Sequence, residues 1–541
     1  MPYPVGGFKT SQLDHLGLVA AMFDQLKIGE TLDAAIDQNM EKRNLSIGTI
    51  VKAMVLNGLG FVNQTLYLTP DFFRTIALER LLGPSVTAQM LDDNALGRCL
   101  DKLFKNNLEL LFCKTSMVAL KELEILRSLQ IHLDSSSFHV HGQYEQEPEM
   151  GTIKITHGFS KDHRPDLKQA VLNLITENKA GIPVLMSPAD GNSEDKKGFR
   201  EIINNQIKQL QQSELSYIIA DSALYNAQTL KDLDAHGMKW VSRVPETSLD
   251  ALWVLDHADI SIMTDLKAGY RYNVVGNQYA GIQQRWMLIH SESKQAREEK
   301  TLLKKLIKLT QSEFKQLEKL KKKAFFCQTD AKEAFVRFCS QLKYGQVEAF
   351  EIIEKNVYKK SGRPTQDSEV SRIEFYISGC ISFNLSTYQE QATRTGFFII
   401  ATNQCDEEEL SNLECFELYK DQNNTVERGF RFMKDPMFML DNLFLKLPQR
   451  IMALMMIMSL CLMVYAAVEY KIRLELAAND VKFPNQKGKM VDNPTARWVF
   501  FYFRGVTVLT LPDGSSQITN MNQHHTMVIG LLGAAFEYYY T

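Results

Sequence analysis

"SLQIHLDSSSFHVHG", residues 128–142, is where the texture of the chain changes from helical to β-rich. Leu129, Ile131 and Leu133 alternate with Gln130, His132 and Asp134, the period-2 pattern of a strand with one face toward a core. Upstream, residues 1–125 read as helices joined by short loops. Ser46 is placed to cap "IGTIVKAMVLNGLGF", and Thr69-Pro70 is a helix-start signal before "DFFRTIALERLLG". A helical leading unit of this kind is either a DNA-binding module or a packing domain.

Downstream the strands continue. "GTIKITHGFS" reads as a second strand, and "KQAVLNLIT" and "GIPVLMSPADG" supply one or two more. "EDKKGFREIINNQIKQLQ" (194–211) is an amphipathic helix, "LSYIIAD" a buried strand, "NAQTLKDLDAHG" a helix ending at Gly237, and "MKWVSRVP" a strand. Antiparallel strands followed by alternating helix and strand make an α/β (α+β) fold, a mixed sheet flanked by helices. After Pro245 the rhythm is lost. Residues 294–323 carry eleven Lys or Arg against four Glu, a basic helix that is either a solvated face or a DNA-backbone contact. "GFFIIATN" then restores a buried strand, and the tail ends in a last helix, "TMVIGLLGAAFEYYY".

The whole-chain numbers bound the function. At 541 residues the chain exceeds a single core. The net charge of −3 gives no global attraction to nucleic acid, so any such binding comes from local patches. Eight scattered cysteines with no C-x-x-C pair argue against both a disulfide framework and a zinc module, and point to the cytoplasm. The N-terminus carries no secretory signal pattern. Residues 451–468, "IMALMMIMSLCLMVYAAV", are interrupted only by Ser459 and approach the ~20 residues of a membrane span. Their Met and Ala content, and their solitary occurrence, favour a helix buried on both sides and no membrane.

Two acids stand at or just past the ends of apolar strands, Asp134 in "IHLDSSS" and Asp221 in "YIIADSALY". Carboxylates on a sheet rim, joined by a third from a helix, can hold two divalent cations about 3.5–4 Å apart for displacement at phosphorus. Oxygen donors suit Mg²⁺ or Mn²⁺ rather than zinc. Taken singly, an Asp in such a place is more often a turn former or helix cap than a catalytic group. The stretch from Tyr419, "YKDQNNTVERGFRFMKDP", supplies the third acid: on a helix Glu427, Arg431 and Lys434 fall on one face. His139 and His141 share a strand face, with His157 and His163 downstream, but no Cys pair or carboxylate completes a zinc site.

In order along the chain, "HLDSSSFHVHG", "THGFSKDHRPDLKQ", "IIADSALY", "WVSRVPET" and "VERGFRFMKDP" resemble the insertion-sequence DDE transposases whose third acid lies in a Y-x2-R-x3-E-x6-K signature. The resemblance runs from about 128 to 500. It implies a ribonuclease-H-like catalytic core interrupted by an insertion domain: a helical domain over 1–125, core over 126–245 and 396–475, insertion over 246–395, and a C-terminal region over 476–541. It implies Asp134, Asp221 and Glu427 as catalytic, metal-binding carboxylates that share two Mg²⁺ or Mn²⁺ ions. The implied partners are double-stranded DNA, as terminal inverted repeats and target, and a second copy of the chain in a dimer or higher multimer. Lys434, Arg431, Arg428 and Tyr419, with Lys161, His163 and Arg164 of the "KDHRPD" loop, are the expected DNA contacts. The chain departs from the signature at Lys420, where Tyr419 lies one position early, and at Asn423, where an Arg is expected; Arg428 or Arg431 would then replace that cation. The alternative is a catalytically silent descendant that only binds DNA.

Overall fold

β-Branched and aliphatic residues dominate the strands around Asp134, and their pairing defines the architecture in the computed structural model. It describes residues 8–37, 44–61, 68–125, 129–144, 149–159, 164–193, 215–359, 369–421, 426–435 and 445–541. Lys161, His163 and the helix expected over 194–211 lie outside these.

In chain order, β1 (Lys9–Gln12) precedes helices α1 (Leu16–Gln25), α2 (Ile28–Ala35), α3 (Ile47–Leu59), α4 (Thr69–Phe72), α5 (Leu78–Leu82), α6 (Asp93–Lys105) and α7 (Leu108–Glu122). Then come β2 (Leu129–Val140), β3 (Lys168–Glu177), β4 (Pro183–Ala189), β5 (Leu215–Ala220), α8 (Ala227–Ala235) and β6 (Trp240–Arg243). Next are α9 (Leu249–Asp256), β7 (Thr264–Lys267), β8 (Tyr270–Tyr279), β9 (Ile282–Ser291), α10 (Glu292–Lys321), α11 (Gln328–Gln341), β10 (Gly345–Tyr358), β11 (Val370–Phe383), α12 (Leu385–Ala392) and β12 (Phe397–Thr402). The chain closes with α13 (Asn412–Asp421), α14 (Val426–Met433), α15 (Pro448–Ala478), β13 (Phe483–Pro484), β14 (Met490–Val491), α16 (Ala496–Tyr502), β15 (Thr507–Thr510), β16 (Ser516–Thr519), α17 (Gln523–Leu532) and α18 (Ala534–Tyr540).

These elements form two compact units, one of residues 1–243, 277–284 and 401–541, the other of 244–276 and 285–400. In the first, strands run in the order β4-β3-β2-β5-β6. β2, β3 and β4 are antiparallel neighbours, while β5 joins β2, and β6 joins β5, in parallel. An antiparallel meander extended by two parallel strands on the side of its first strand is the ribonuclease-H-like topology, so the expected mixed α/β fold is observed. β3 is buried along nearly its whole length, covered on both faces.

α15 is the spine of this unit. By length and composition it could cross a membrane, but 94% of its apolar window is buried, against α1, α3, α6, α7 and β4. Burial all round explains why it shows no amphipathic stripe. Ser46 caps α3 as expected, its hydroxyl accepting from Thr49 N at 3.1 Å.

Three local expectations change. "DFFRTIALERLLG" forms two short helices, α4 and α5, rather than one. "GTIKITHGFS" makes only an isolated bridge, Thr156 to Gln169. There Gly158 and Gly191 interlock so closely that a Cβ on Gly158 would lie 2.0 Å from the Gly191 carbonyl oxygen. The last helix breaks at Gly533, whose φ of 91° stops α17 and starts α18.

β12, β9, β8 and β7 lie side by side, with most of their residues in the second unit. Beside them the β10–β11 hairpin, α10 and α11 enclose a small core of Leu317, Phe325, Phe335, Phe338, Ile377 and Ile381. Only Leu306 and Leu317 of α10 are buried, so its lysines are largely solvated.

Candidate active site

The parallel pairing of β2 with β5 and β5 with β6 brings three strand positions into one row. Leu133 pairs with Ala220, and Ala220 with Ser242. One residue further on come Asp134 within β2, Asp221 just past the end of β5 and Arg243 at the end of β6, on strands that lie about 4.8 Å apart. This is the carboxyl end of the parallel strands, where ligands bind in open α/β sheets. Asp221 follows the last residue of β5, as expected. Asp134 does not end its strand: β2 runs on to Val140, paired with β3 throughout, and Asp134 faces Leu174. It reaches the rim because β5 stops beside it, not because β2 does.

Both carboxylates are half-buried and oriented locally. Asp134 Oδ1 accepts from Ser135 N at 2.7 Å. Asp221 Oδ1 accepts from Ala223 N at 2.8 Å in a turn, and Ser242 Oγ donates to the Asp221 carbonyl at 2.9 Å.

The second half of the site comes from two helices. α13 lies against β5 and β6, and α14 against β2 and β3. Tyr419, near the end of α13, hydrogen-bonds through its phenol to the Arg243 guanidinium and lies in electrostatic range of both Asp221 and Glu427. Burial raises its pKa most; Arg243 opposes the rise while Asp221 and Glu427 add to it. Tyr419 thus feels the charge of Glu427 as well as that of Asp221.

α14 carries the expected face in part. Glu427 and Arg431 are exposed, one turn apart. Lys434 is half-buried, its Nζ 5.7 Å from the Phe138 ring centroid, a cation–π contact with β2. Phe430 packs near the same ring at 6.3 Å, and Phe432 near Tyr465 at 4.3 Å. Arg428 is different. Its guanidinium is paired with the buried Glu469 of α15, which also binds Arg473 at 2.8 Å and Ala496 N at 2.8 Å. Arg428 is thus half-buried and engaged by an interior carboxylate. Arg164 is exposed and forms a bidentate pair with Asp166 at 2.9 and 2.7 Å, which pulls the Asp166 pKa down to about 2.

Among the described residues, no group of three or more His, Cys, Asp or Glu side chains is close enough to hold a metal ion. Asp134 and Asp221 offer two oxygen donors in adjacent register, a partial site of the kind that suits Mg²⁺ or Mn²⁺; Glu427 stands nearby without closing it. Arg243 escaped the sequence reading, although "WVSR" carried a signal: like Asp221, it is a charged residue ending an apolar strand.

A ribonuclease-H-like sheet with one aspartate within its first strand and another just past the end of the adjoining parallel strand is the arrangement of the DDE class of transposases and related nucleases. The chain belongs to the transposase DDE domain family, whose model matches residues 128–464. Residues 8–117 match a family described as a domain of unknown function. No curated protein matches the chain. Among solved structures it is similar to the piggyBac transposase synaptic complex with hairpin DNA, at 8% identity over 92% of this chain and 82% of that one. The TM-score is 0.38.

Proposed function

We propose that the protein is the transposase of an insertion sequence, working in the bacterial cytoplasm as a homodimer or higher multimer on paired element ends. It cuts the phosphodiester at each end by water attack and joins the freed 3′-hydroxyl to target DNA. What supports this reading is the pairing of β2 with β5, which brings Asp134 and Asp221 to neighbouring strands, with Glu427 on a helix that packs against β2. Asp134 and Asp221 would hold a divalent cation and Glu427 would complete its shell. A bound Mg²⁺ or Mn²⁺ supplies charge stabilisation of the entering and leaving oxygens. The chain's own part is to fix the acids on a rigid sheet rim and to hold the DNA backbone, for which the exposed Arg431 of α14 and the half-buried Lys434 just past its end are suited. A loop contact from Arg164 belongs to the same reading.

The test uses full-length protein and the DNA flanking the gene in its native setting, with Mg²⁺ or Mn²⁺. Strand cleavage is expected in wild type and absent in Asp134→Ala, Asp221→Ala and Glu427→Ala, each still shifting the DNA on a gel. Cleavage retained in any variant removes that acid from the site. Binding without cleavage by wild type under every divalent ion favours the silent DNA-binding descendant, which the departures at Lys420 and Asn423 support.

A further inference from the structure

Arg is expected four residues before the third acid, and this chain has Asn423 there. The structure brings a different cation to the acids. We propose that Arg243, at the end of β6, is the residue that grips the scissile DNA phosphate, and that Tyr419 is its positioning partner. The proposal rests on the transposase reading and adds to it a phosphate ligand outside the signature helix.

The strand order places Arg243 on the far side of Asp221 from Asp134, in the same cross-strand row. A guanidinium there offsets the repulsion between neighbouring carboxylates, and its planar fork matches two oxygens of a phosphodiester. Its bond to the Tyr419 phenol fixes the fork's direction. The displaced tyrosine explains itself on this view: on α13, against β5 and β6, the phenol at 419 reaches Arg243. The cations of α14 serve a different place. Arg428 is spent on Glu469, and Lys434 lies over Phe138 on the β2 side of the acids. A phosphate at the Asp134–Asp221 pair is therefore approached by Arg243 from the β6 side and by α14 from the β2 side.

The experiment measures affinity of the full-length protein for the flanking end DNA in Ca²⁺, which is used to allow binding without cleavage. Normal DNA is compared with DNA carrying a neutral methylphosphonate at the scissile position. A charge-assisted hydrogen bond to phosphate is worth about 1.5–3 kcal/mol, so wild type should lose about tenfold to a hundredfold on methylphosphonate DNA. Arg243→Ala should bind normal DNA weakly and lose little more on methylphosphonate DNA. Tyr419→Phe, which keeps the ring, should show an intermediate penalty, and it reports on the contact even if Arg243→Ala does not fold. A full methylphosphonate penalty in Arg243→Ala, or in Tyr419→Phe where the Ala variant is unfolded, overturns the proposal and leaves the transposase reading standing. Wild type that neither binds nor cuts the end DNA overturns both.

Discussion

Glu469 on α15 holds Arg428 on α14, and this one pair fixes the orientation of the helix that carries Glu427. The carboxylate is only 5% exposed and also accepts from Arg473 and from the Ala496 amide. Next to Arg428, Gly429 lies so close to Leu462 that an added Cβ would stand 2.8 Å from its Cδ2. The acid's backbone is thus clamped from the side facing away from the sheet.

Glu469→Gln should be strongly destabilising, because it leaves two guanidiniums facing each other without their counter-charge. Breaking a buried pair costs about 3–5 kcal/mol, and the 37% exposure of Arg428 argues for the lower end, about 3 kcal/mol. Urea denaturation measures it. A midpoint unchanged from wild type would show that the pair does not secure α14.

Acid should weaken the fold between about pH 6.5 and pH 4. His15, bonded through Nε2 to the Leu59 carbonyl at 2.8 Å and stacked on Phe500, has its pKa lowered to about 4 by burial. His132, bonded to Asn178, is likewise lowered to about 4. Between those values and 6.5 the unfolded chain binds more protons than the folded one, so stability is complete above pH 6.5 and falls as pH drops. Each site contributes about 3 kcal/mol of that loss. His15→Phe should flatten the slope of stability against pH in this window; an unchanged slope would exclude His15 as its source.

Tyr540 anchors α18 to the N-terminal helices. Its hydroxyl donates to the Asp14 carbonyl at 2.7 Å and accepts from Leu18 N at 3.3 Å, and its ring presses on Gly17. Tyr540→Phe should cost about 1 kcal/mol for the lost hydrogen bonds, and Tyr540→Ala about 4 kcal/mol for the cavity. Thermal melts of the two variants should differ clearly; equal losses would mean the ring adds nothing.

Lys434→Met should leave the fold intact while reducing the salt dependence of DNA binding. If its ammonium meets one phosphate, the slope of log affinity against log salt drops by about one unit. A slope identical to wild type would remove Lys434 from the DNA contacts.

The strands around the site were legible because burial leaves a periodic mark. "YIIAD", "GFFIIATN" and "KQAVLNLIT" each became a strand at the expected place. The position of Asp134 within β2 was not legible, since the end of a strand depends on where its partners stop. Nor was the loss of Arg428 to Glu469, forty-one residues away on another helix.

The amino-acid sequence by itself determined the local elements and nominated the three acids, because hydrophobic period and residue chemistry are properties of short segments. Only the tertiary structure decided which charges become neighbours. Strand register set Asp134, Asp221 and Arg243 in a row, and helix packing turned Arg428 inward while bringing Tyr419 onto Arg243. Those choices follow from pairings between segments far apart along the chain, for which no short stretch carries a signal.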